Sequence, residues 1–288
     1  MTFSHSWRSA LDPQRVMEAG VVHWQDEHAL EAAEYLTMEE PFEIRLAHQS
    51  LAVIMRTPGH DEELALGFLL TEGIIHTGYD VLSVANDEDE DGLPLENVVT
   101  VMLRSVTQQS ALQAHPTIFE RHFAVSASCG LCGKNSIADI LQAVPRLEPD
   151  TLQVPASIFY TLSDQLRAQQ AVFRHTGGLH AAGLYNLQGE LLLSREDIGR
   201  HNAVDKLIGN GLLQGFFPYR EHILLVSGRT SFEIIQKALL ARIPFVTAIS
   251  APSSMAVELA DKGGITLIGF LRDHSMNVYT HPERISQE

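Results

Sequence analysis

The alternation of apolar and polar positions first becomes regular near residue 41. Pro41-Phe42-Glu43-Ile44-Arg45-Leu46 and Leu51-Ala52-Val53-Ile54-Met55-Arg56 flank the turn-like Ala47-His48-Gln49-Ser50, a pattern that predicts a β-hairpin. Asp61 to Ile75 follows with helical spacing, acids in its first turn and Gly73 near its end. Asn97 to Leu103 is strand-like, and the run Asn86-Asp87-Glu88-Asp89-Glu90-Asp91-Gly92 before it is too charged to pack, so a solvated loop is expected there. Residues 1–36 are mixed, with weak helical periodicity over Asp26 to Tyr35, and are expected to form an extension outside the folded units.

The second half is more regular. Ala182 to Tyr185 and Leu191 to Leu193 flank Asn186-Leu187-Gln188-Gly189, a second hairpin signal, and Ala203 to Ile208 is helical. Three strand-like runs follow, Ile223 to Val226, Phe245 to Ile249 and Ile265 to Phe270, separated by helical stretches at Phe232 to Arg242 and Met255 to Asp261. This order predicts βαβ units and a parallel sheet covered on its faces, hence an α/β fold with an α+β N-terminal part. Thr230-Ser231-Phe232-Glu233 has the spacing of a capping box. The expected organisation is an extension over 1–36, a small α+β domain over 37–125 and a larger domain over 126–288.

Charge narrows the functions. The 20 Lys and Arg against 36 Asp and Glu leave a net charge of −16, which excludes a general nucleic-acid surface but permits a local anion site. The sequence offers neither a bilayer-spanning apolar run nor a basic segment leading into one, so a cytoplasmic location and no membrane partner are expected. Two cysteines in 288 residues are no disulfide framework.

Ligands of open α/β sheets bind outside the carboxyl ends of the strands. Here those ends carry Ser227-Gly228-Arg229-Thr230, Ser250-Ala251-Pro252-Ser253-Ser254 and Leu271-Arg272-Asp273. Small residues permit close backbone approach and arginines suit bidentate phosphate binding, so a phosphorylated or nucleotide-like ligand is expected; plain tight βα turns are the alternative. Gly177-Gly178-Leu179-His180-Ala181-Ala182-Gly183 is a further small-residue loop. Ser194-Arg195-Glu196-Asp197-Ile198-Gly199-Arg200-His201-Asn202 gathers six ionisable side chains at a helix start, with Asp197, His201 and Asp205 on one face if the helix begins that early. A structural salt-bridge network is the competing reading.

The most specific feature is Ser128-Cys129-Gly130-Leu131-Cys132-Gly133, between the extended Phe123-Ala124-Val125 and a helix suggested by Ile137 to Val144. Glycines make the loop accessible, and Lys134 with the following helix start favours thiolate. Zinc binding, a dithiol redox pair and sulfur transfer remain open on spacing alone, though no second cysteine pair completes a zinc site.

Several blocks together carry a resemblance. Met55-Arg56-Thr57-Pro58-Gly59, Asp61-Glu62-Glu63-Leu64-Ala65-Leu66-Gly67-Phe68-Leu69, Ser128-Cys129-Gly130-Leu131-Cys132-Gly133-Lys134, Thr176-Gly177-Gly178-Leu179-His180-Ala181-Ala182, Glu196-Asp197-Ile198-Gly199-Arg200-His201-Asn202-Ala203-Val204-Asp205-Lys206 and Ser227-Gly228-Arg229-Thr230-Ser231 resemble, in order, the formate dehydrogenase accessory sulfurtransferases, the FdhD family. The resemblance covers nearly the whole chain from about Met38. It implies a sulfurtransferase that takes persulfide sulfur from a cysteine desulfurase and passes it to the molybdenum cofactor bis-molybdopterin guanine dinucleotide, bound as substrate, for maturation of formate dehydrogenase. It places the persulfide on Cys129 with Cys132 assisting, and the cofactor on the segment after the last strand, Phe270-Leu271-Arg272-Asp273-His274-Ser275. The cofactor site is expected to include Ser227, Gly228, Arg229, Thr230, His180, Asp197, Arg200, His201 and Asn202, with GDP or GMP as surrogates.

The same resemblance implies that the larger domain is a three-layer mixed sheet like that of cytidine deaminases, entered through the Cys-x-x-Cys loop. Zinc deaminases need His-x-Glu and Pro-Cys-x-x-Cys helix starts. Arg200-His201-Asn202 and Ser227-Gly228-Arg229-Thr230 stand in those places, so no metal and no deaminase activity are expected. A two-nucleotide cofactor suits a two-fold assembly, which makes a homodimer the expected state.

Overall fold

In the computed structural model, residues 12–47, 49–89, 91–104, 123–124 and 145–287 are described. Cys129, Cys132, the 137–144 helix expectation and residues 1–11 of the expected extension lie outside them. None of the described helices is long and apolar enough to cross a membrane.

The chain opens with an antiparallel ribbon, β1 (Val16–Gln25) and β2 (His28–Thr37), which turns at Asp26 with φ 54°. The helix expected over Asp26 to Tyr35 is therefore a strand. His28-Ala29-Leu30-Glu31-Ala32-Ala33-Glu34 has good helix formers, but cross-strand bonding to β1 outweighs that weak local preference.

A five-stranded sheet follows, with order β5-β6-β3-β4-β7. The expected hairpin is β3 (Glu40–Leu46) and β4 (Gln49–Arg56); β5 is Val81–Glu88, β6 is Pro94–Leu103, and the two-residue β7 is Phe123–Ala124. Part of the acidic run is thus not loop. Asp87 lies in β5 and accepts hydrogen bonds from Arg45 and Thr100, so a basic neighbour on β3 lets a charged strand end pair. Helix α1 (Asp61–Thr71) begins with three acids and covers the sheet with Leu64, Ala65, Leu69 and Leu70.

The C-terminal sheet has the order β10-β9-β11-β12-β13-β14. Its strands are β9 (His180–Asn186), β10 (Leu191–Asp197), β11 (His222–Val226), β12 (Phe245–Ala248), β13 (Thr266–Arg272) and β14 (Ser275–Val278). β11, β12 and β13 are parallel, as their continuous apolar runs predict, and β9 and β14 are antiparallel to their neighbours. Helix α2 (Ala156–Gln169) lays Phe159, Leu162 and Leu166 on one face, against Tyr185, Leu225, Phe245 and Ile268. Each such side chain contributes about 1.5–3 kcal/mol by leaving water. Helices α4 (Arg200–Gln214), α5 (Phe232–Leu240) and α6 (Ser254–Gly263) cover the other face, which completes three layers. A short helix α3 (Ala171–Thr176) precedes β9, and β8 (Val154–Pro155) pairs with the C-terminal β15 (Ile285–Ser286).

The two larger sheets share one apolar cluster because α1 lies directly on α4. A Cβ on Gly67 would overlap the backbone of Asp205, and one on Gly209 the backbone of Glu63. Only glycine permits that approach.

Candidate functional site at the strand ends

β10 is antiparallel to β9, and β9 to β11, so β10 runs in the same direction as β11, β12 and β13. All four carboxyl ends reach one edge of the sheet, and α4, α5 and α6 start there. The third start is closed by Ser253, whose Oγ accepts from the Ala256 N–H. The first two, after Gly199 and Ser231, have no cap from the side chain of the N-cap residue; at α4 this leaves backbone N–H groups and the positive dipole end available to an anion, whereas at α5 the Glu233 carboxylate takes its own N–H. The expected capping box on Thr230 does not form. Ser231 is the N-cap residue, and its Oγ lies 3.3 Å from His201 Nε2.

The loop after β11 is bolted to β9: Ser227 N–H donates to Ala181 O and Ala181 N–H to Ser227 Oγ, both at 2.9 Å. This sets Gly228 behind His180, where a Cβ would lie 3.2 Å from His180 Nδ1 and 3.8 Å from Arg200 Cδ. Burial, reinforced by the Arg200 charge, pushes the His180 pKa below its ordinary value. His201 is more enclosed; burial and the nearby Lys237 and Arg200 lower its pKa to about 4, so the ring is neutral at pH 7. Its 3.9 Å approach to Glu233 is therefore not an ion pair at that pH. Burial opposes ionisation of Glu233, but hydrogen bonds from Ser231 and its own N–H, with the charges around it, hold its pKa below the ordinary value.

Two buried polar atoms here have no partner, Arg200 Nε and Thr230 Oγ1. Thr230 is fixed by its backbone, donating to Ala251 O and accepting from Ser253 N–H. Beside His180 and Ser227 opens a cleft of about 350 Å³ whose other walls include Arg167, Phe173, Gly178 and Ile249. An orphaned guanidinium nitrogen, a glycine cradle and the uncapped start of α4 make an environment that fits a phosphorylated ligand.

The expected residues divide into two groups. His180, Ser227, Gly228, Thr230, Arg200 and His201 meet at this edge, and Arg229 is exposed beside them. Asp197 does not face the cleft: it is fully buried and accepts from Lys206 Nζ at 2.7 Å, Gly199 N–H at 2.8 Å, Asn202 Nδ2 at 2.9 Å and Thr57 N–H at 3.2 Å. Asn202 is spent on Asp197 and on Met55 O. Asp197 also ends β10 rather than entering α4, so the shared helical face with His201 and Asp205 exists only for the latter two. Asp205 is buried and paired with Lys237 at 2.7 Å, and it accepts from Thr71 Oγ1 at 3.0 Å.

Phe270 to Ser275 is not a segment after the last strand. It is the end of β13 and its turn into β14, with Arg272 opposite Ser275 and positive φ at Phe270 and Asp273. Phe270 N–H bonds Ser250 O, which ties the turn to the loop after β12. Leu271 is buried, whereas Arg272, Asp273, His274 and Ser275 are exposed, with His274 edge-on to Tyr160 of α2. Sequence reasoning missed Arg167, Ser231 and Glu233. The last two lie inside the block read as a helix cap, and nothing in their spacing distinguishes capping from contact with a histidine one strand earlier.

The FdhD/NarQ family model matches residues 37–286. The chain belongs to this family. Curated FdhD/NarQ relatives extend over almost the whole chain. The sulfur carrier protein FdhD of Mycolicibacterium paratuberculosis is 47% identical over 269 residues, covering 92% of this chain and 97% of that protein. The protein of the same description from Saccharolobus solfataricus is 41% identical over 274 residues, covering 94% and 98%. A solved structure of a candidate formate dehydrogenase accessory protein from Desulfotalea psychrophila shares the fold, with a TM-score of 0.72 at 22% identity, covering 94% of this chain and 100% of that one. The α/β architecture expected from the strand and helix order is thereby borne out.

Proposed function

We propose that this FdhD/NarQ protein is a cytoplasmic sulfurtransferase. It accepts persulfide sulfur from a cysteine desulfurase on Cys129 and passes it to molybdenum in bis-molybdopterin guanine dinucleotide, acting as a homodimer and as a chaperone of that cofactor for formate dehydrogenase. The observation that carries the reading is near-full-length identity of 47% to a curated sulfur carrier. The strand-end edge supports it, because unpaired Arg200 Nε and the glycine cradle at Gly228 suit the phosphates of a guanine nucleotide.

Loading is balanced without an oxidant. The Cys129 thiolate attacks the outer sulfur of the donor persulfide, the donor S–S bond breaks, and the desulfurase leaves as thiolate. Release as sulfide is balanced if the Cys132 thiolate attacks Cys129 Sγ, expels hydrosulfide and leaves a 129–132 disulfide for a thiol reductant to reopen.

Incubation with a cysteine desulfurase and cysteine, followed by intact mass measurement, tests the loading step. The wild type should gain ~32 Da, one sulfur on one thiol, and Cys129→Ala should not. An adduct that persists in Cys129→Ala overturns the assignment, and formate dehydrogenase maturation by that variant would leave only the cofactor-holding role. Calorimetry with GDP and GMP tests the edge: Arg229→Ala and Arg272→Ala should each weaken binding roughly tenfold, the scale of one charge-assisted contact.

A further inference from the structure

The β1–β2 ribbon is anchored at its base. Thr37 Oγ1 donates to Thr176 Oγ1 at 2.9 Å, Arg15 Nη2 to Glu196 O at 3.2 Å, and Met38 N–H to Arg15 O at 2.9 Å. Beyond that base both faces meet water, with Met17 51%, Val22 58%, Trp24 67% and Leu30 57% exposed. A two-stranded ribbon with neither face covered is marginal in water. Among the described residues, the outer edges of β1 and β2 pair with no other strand.

The two edges differ in charge. β2 carries Glu31 and Glu34, whereas β1 carries Glu18 alone and has no Lys, Arg or Pro. Free edges are normally guarded by charge, proline, a bulge or brevity. β5, at the edge of the five-stranded sheet, has a bulged register and runs into the acidic segment, and β14, at the edge of the six-stranded sheet, has only 4 residues. β1 has 10 residues in unbroken register, no proline, and Glu18 as its one acidic side chain.

We propose that β1 pairs antiparallel with β1 of a second copy of this chain, about a two-fold axis at Gly20, to give a four-stranded sheet. A two-fold axis turns the same backbone groups of both strands toward each other, so the pairing must centre on a residue. Centred on Gly20, it sets Val16 opposite Trp24, Met17 opposite His23, Glu18 opposite Val22 and Ala19 opposite Val21. No like charges meet, and the two Glu18 side chains are separated by several residues along the axis. β2 used in the same way would gather four glutamates around the axis, which disfavours that edge. The inference rests on the homodimer of the proposed function and on none of its chemistry.

Sedimentation velocity of three full-length proteins tests it: wild type, Ala19→Lys with Val21→Lys, and Ala19→Asp with Val21→Asp. Within one arm, position 19 faces Glu34 and position 21 faces Ala32, so the lysines leave the ribbon itself favoured. Across the axis they oppose each other, and the dimer dissociation constant should rise roughly tenfold or more. Mixing the lysine and aspartate proteins should restore a dimer containing one of each. A wild-type monomer overturns both this interface and the homodimer. A lysine variant as dimeric as the wild type, or a mixture that forms no heterodimer, overturns the interface and leaves the homodimer standing.

Discussion

The seam between α1 and α4 and the edge where α4 and α5 begin are made of the same residue types, glycines, acids and cations, yet they are finished differently. At the seam Arg195 forks onto Glu63 at 2.6 and 2.7 Å, Asn210 adds a bond at 2.9 Å, and Lys237 binds Asp205 and Thr71. Burial opposes the Glu63 charge, but those donors and His60 hold its pKa at about 2. At the edge, Arg200 Nε and Thr230 Oγ1 are buried without partners and the start of α4 lacks a side-chain cap. Closed polar networks hold the sheets together, whereas the incomplete one is where a ligand can supply the missing partners.

The sharpest way to break the seam is to orphan one of its charges. Asp197 and Lys206 are both wholly buried, and burial pushes the Lys206 pKa down while Asp197 opposes the shift. Asp197→Ala leaves that ammonium with Thr57 O as its remaining protein acceptor among the described residues and should cost about 3–5 kcal/mol. Urea denaturation checks this; a loss under about 1 kcal/mol would mean that the pair is not a structural element.

The glycines separate the regions next. At Gly67 an added methyl meets the Asp205 backbone, which moves only if the helices part, so Gly67→Ala should lose about 3 kcal/mol despite its better helix propensity. At Gly228 the neighbours are the His180 ring and the Arg200 stem, side chains that can give. Gly228→Ala should change stability by less than about 1 kcal/mol and instead weaken GDP binding, read by calorimetry. Equal stability losses at both positions would erase the distinction between seam and edge.

That distinction explains what was legible in the sequence. The three parallel strands and their helices could be read because continuous apolar runs ended by small residues leave few alternatives. The block Glu196 to Lys206 was visible as dense and charged, but its sequence could not assign Asp197 and Asn202 to the seam and Arg200 and His201 to the edge. The partners that decide, Thr57 and Met55 on one side and Gly228 and Ser231 on the other, are distant in the chain. The β1–β2 ribbon failed for a related reason: its helix-forming composition is local, and its cross-strand bonds are not.

The smallest effect concerns the neutral histidine at the edge, where folding depends on pH. His201 titrates near 4 in the folded chain against 6.5 ordinarily, because burial and then Lys237 and Arg200 disfavour its charge. As pH falls below 6.5 the unfolded chain takes up a proton that the folded chain refuses until about pH 4, so stability is complete above that window and is lost on descending through it. Between pH 7 and pH 5 this one group should cost about 2 kcal/mol. His180 and His222, lowered by burial, act in the same direction, so the contribution of His201 must be taken as a difference. His201→Gln, which retains a hydrogen-bonding group near Ser231, should flatten the pH 5–7 slope of urea stability by that amount, while the fall attributable to Glu63 between pH 4.5 and 2 persists. An unchanged slope at pH 5–7 would show that the ring takes up its proton in the fold as readily as in the unfolded chain, and would remove the enclosed neutral ring on which the contrast with the charged seam depends.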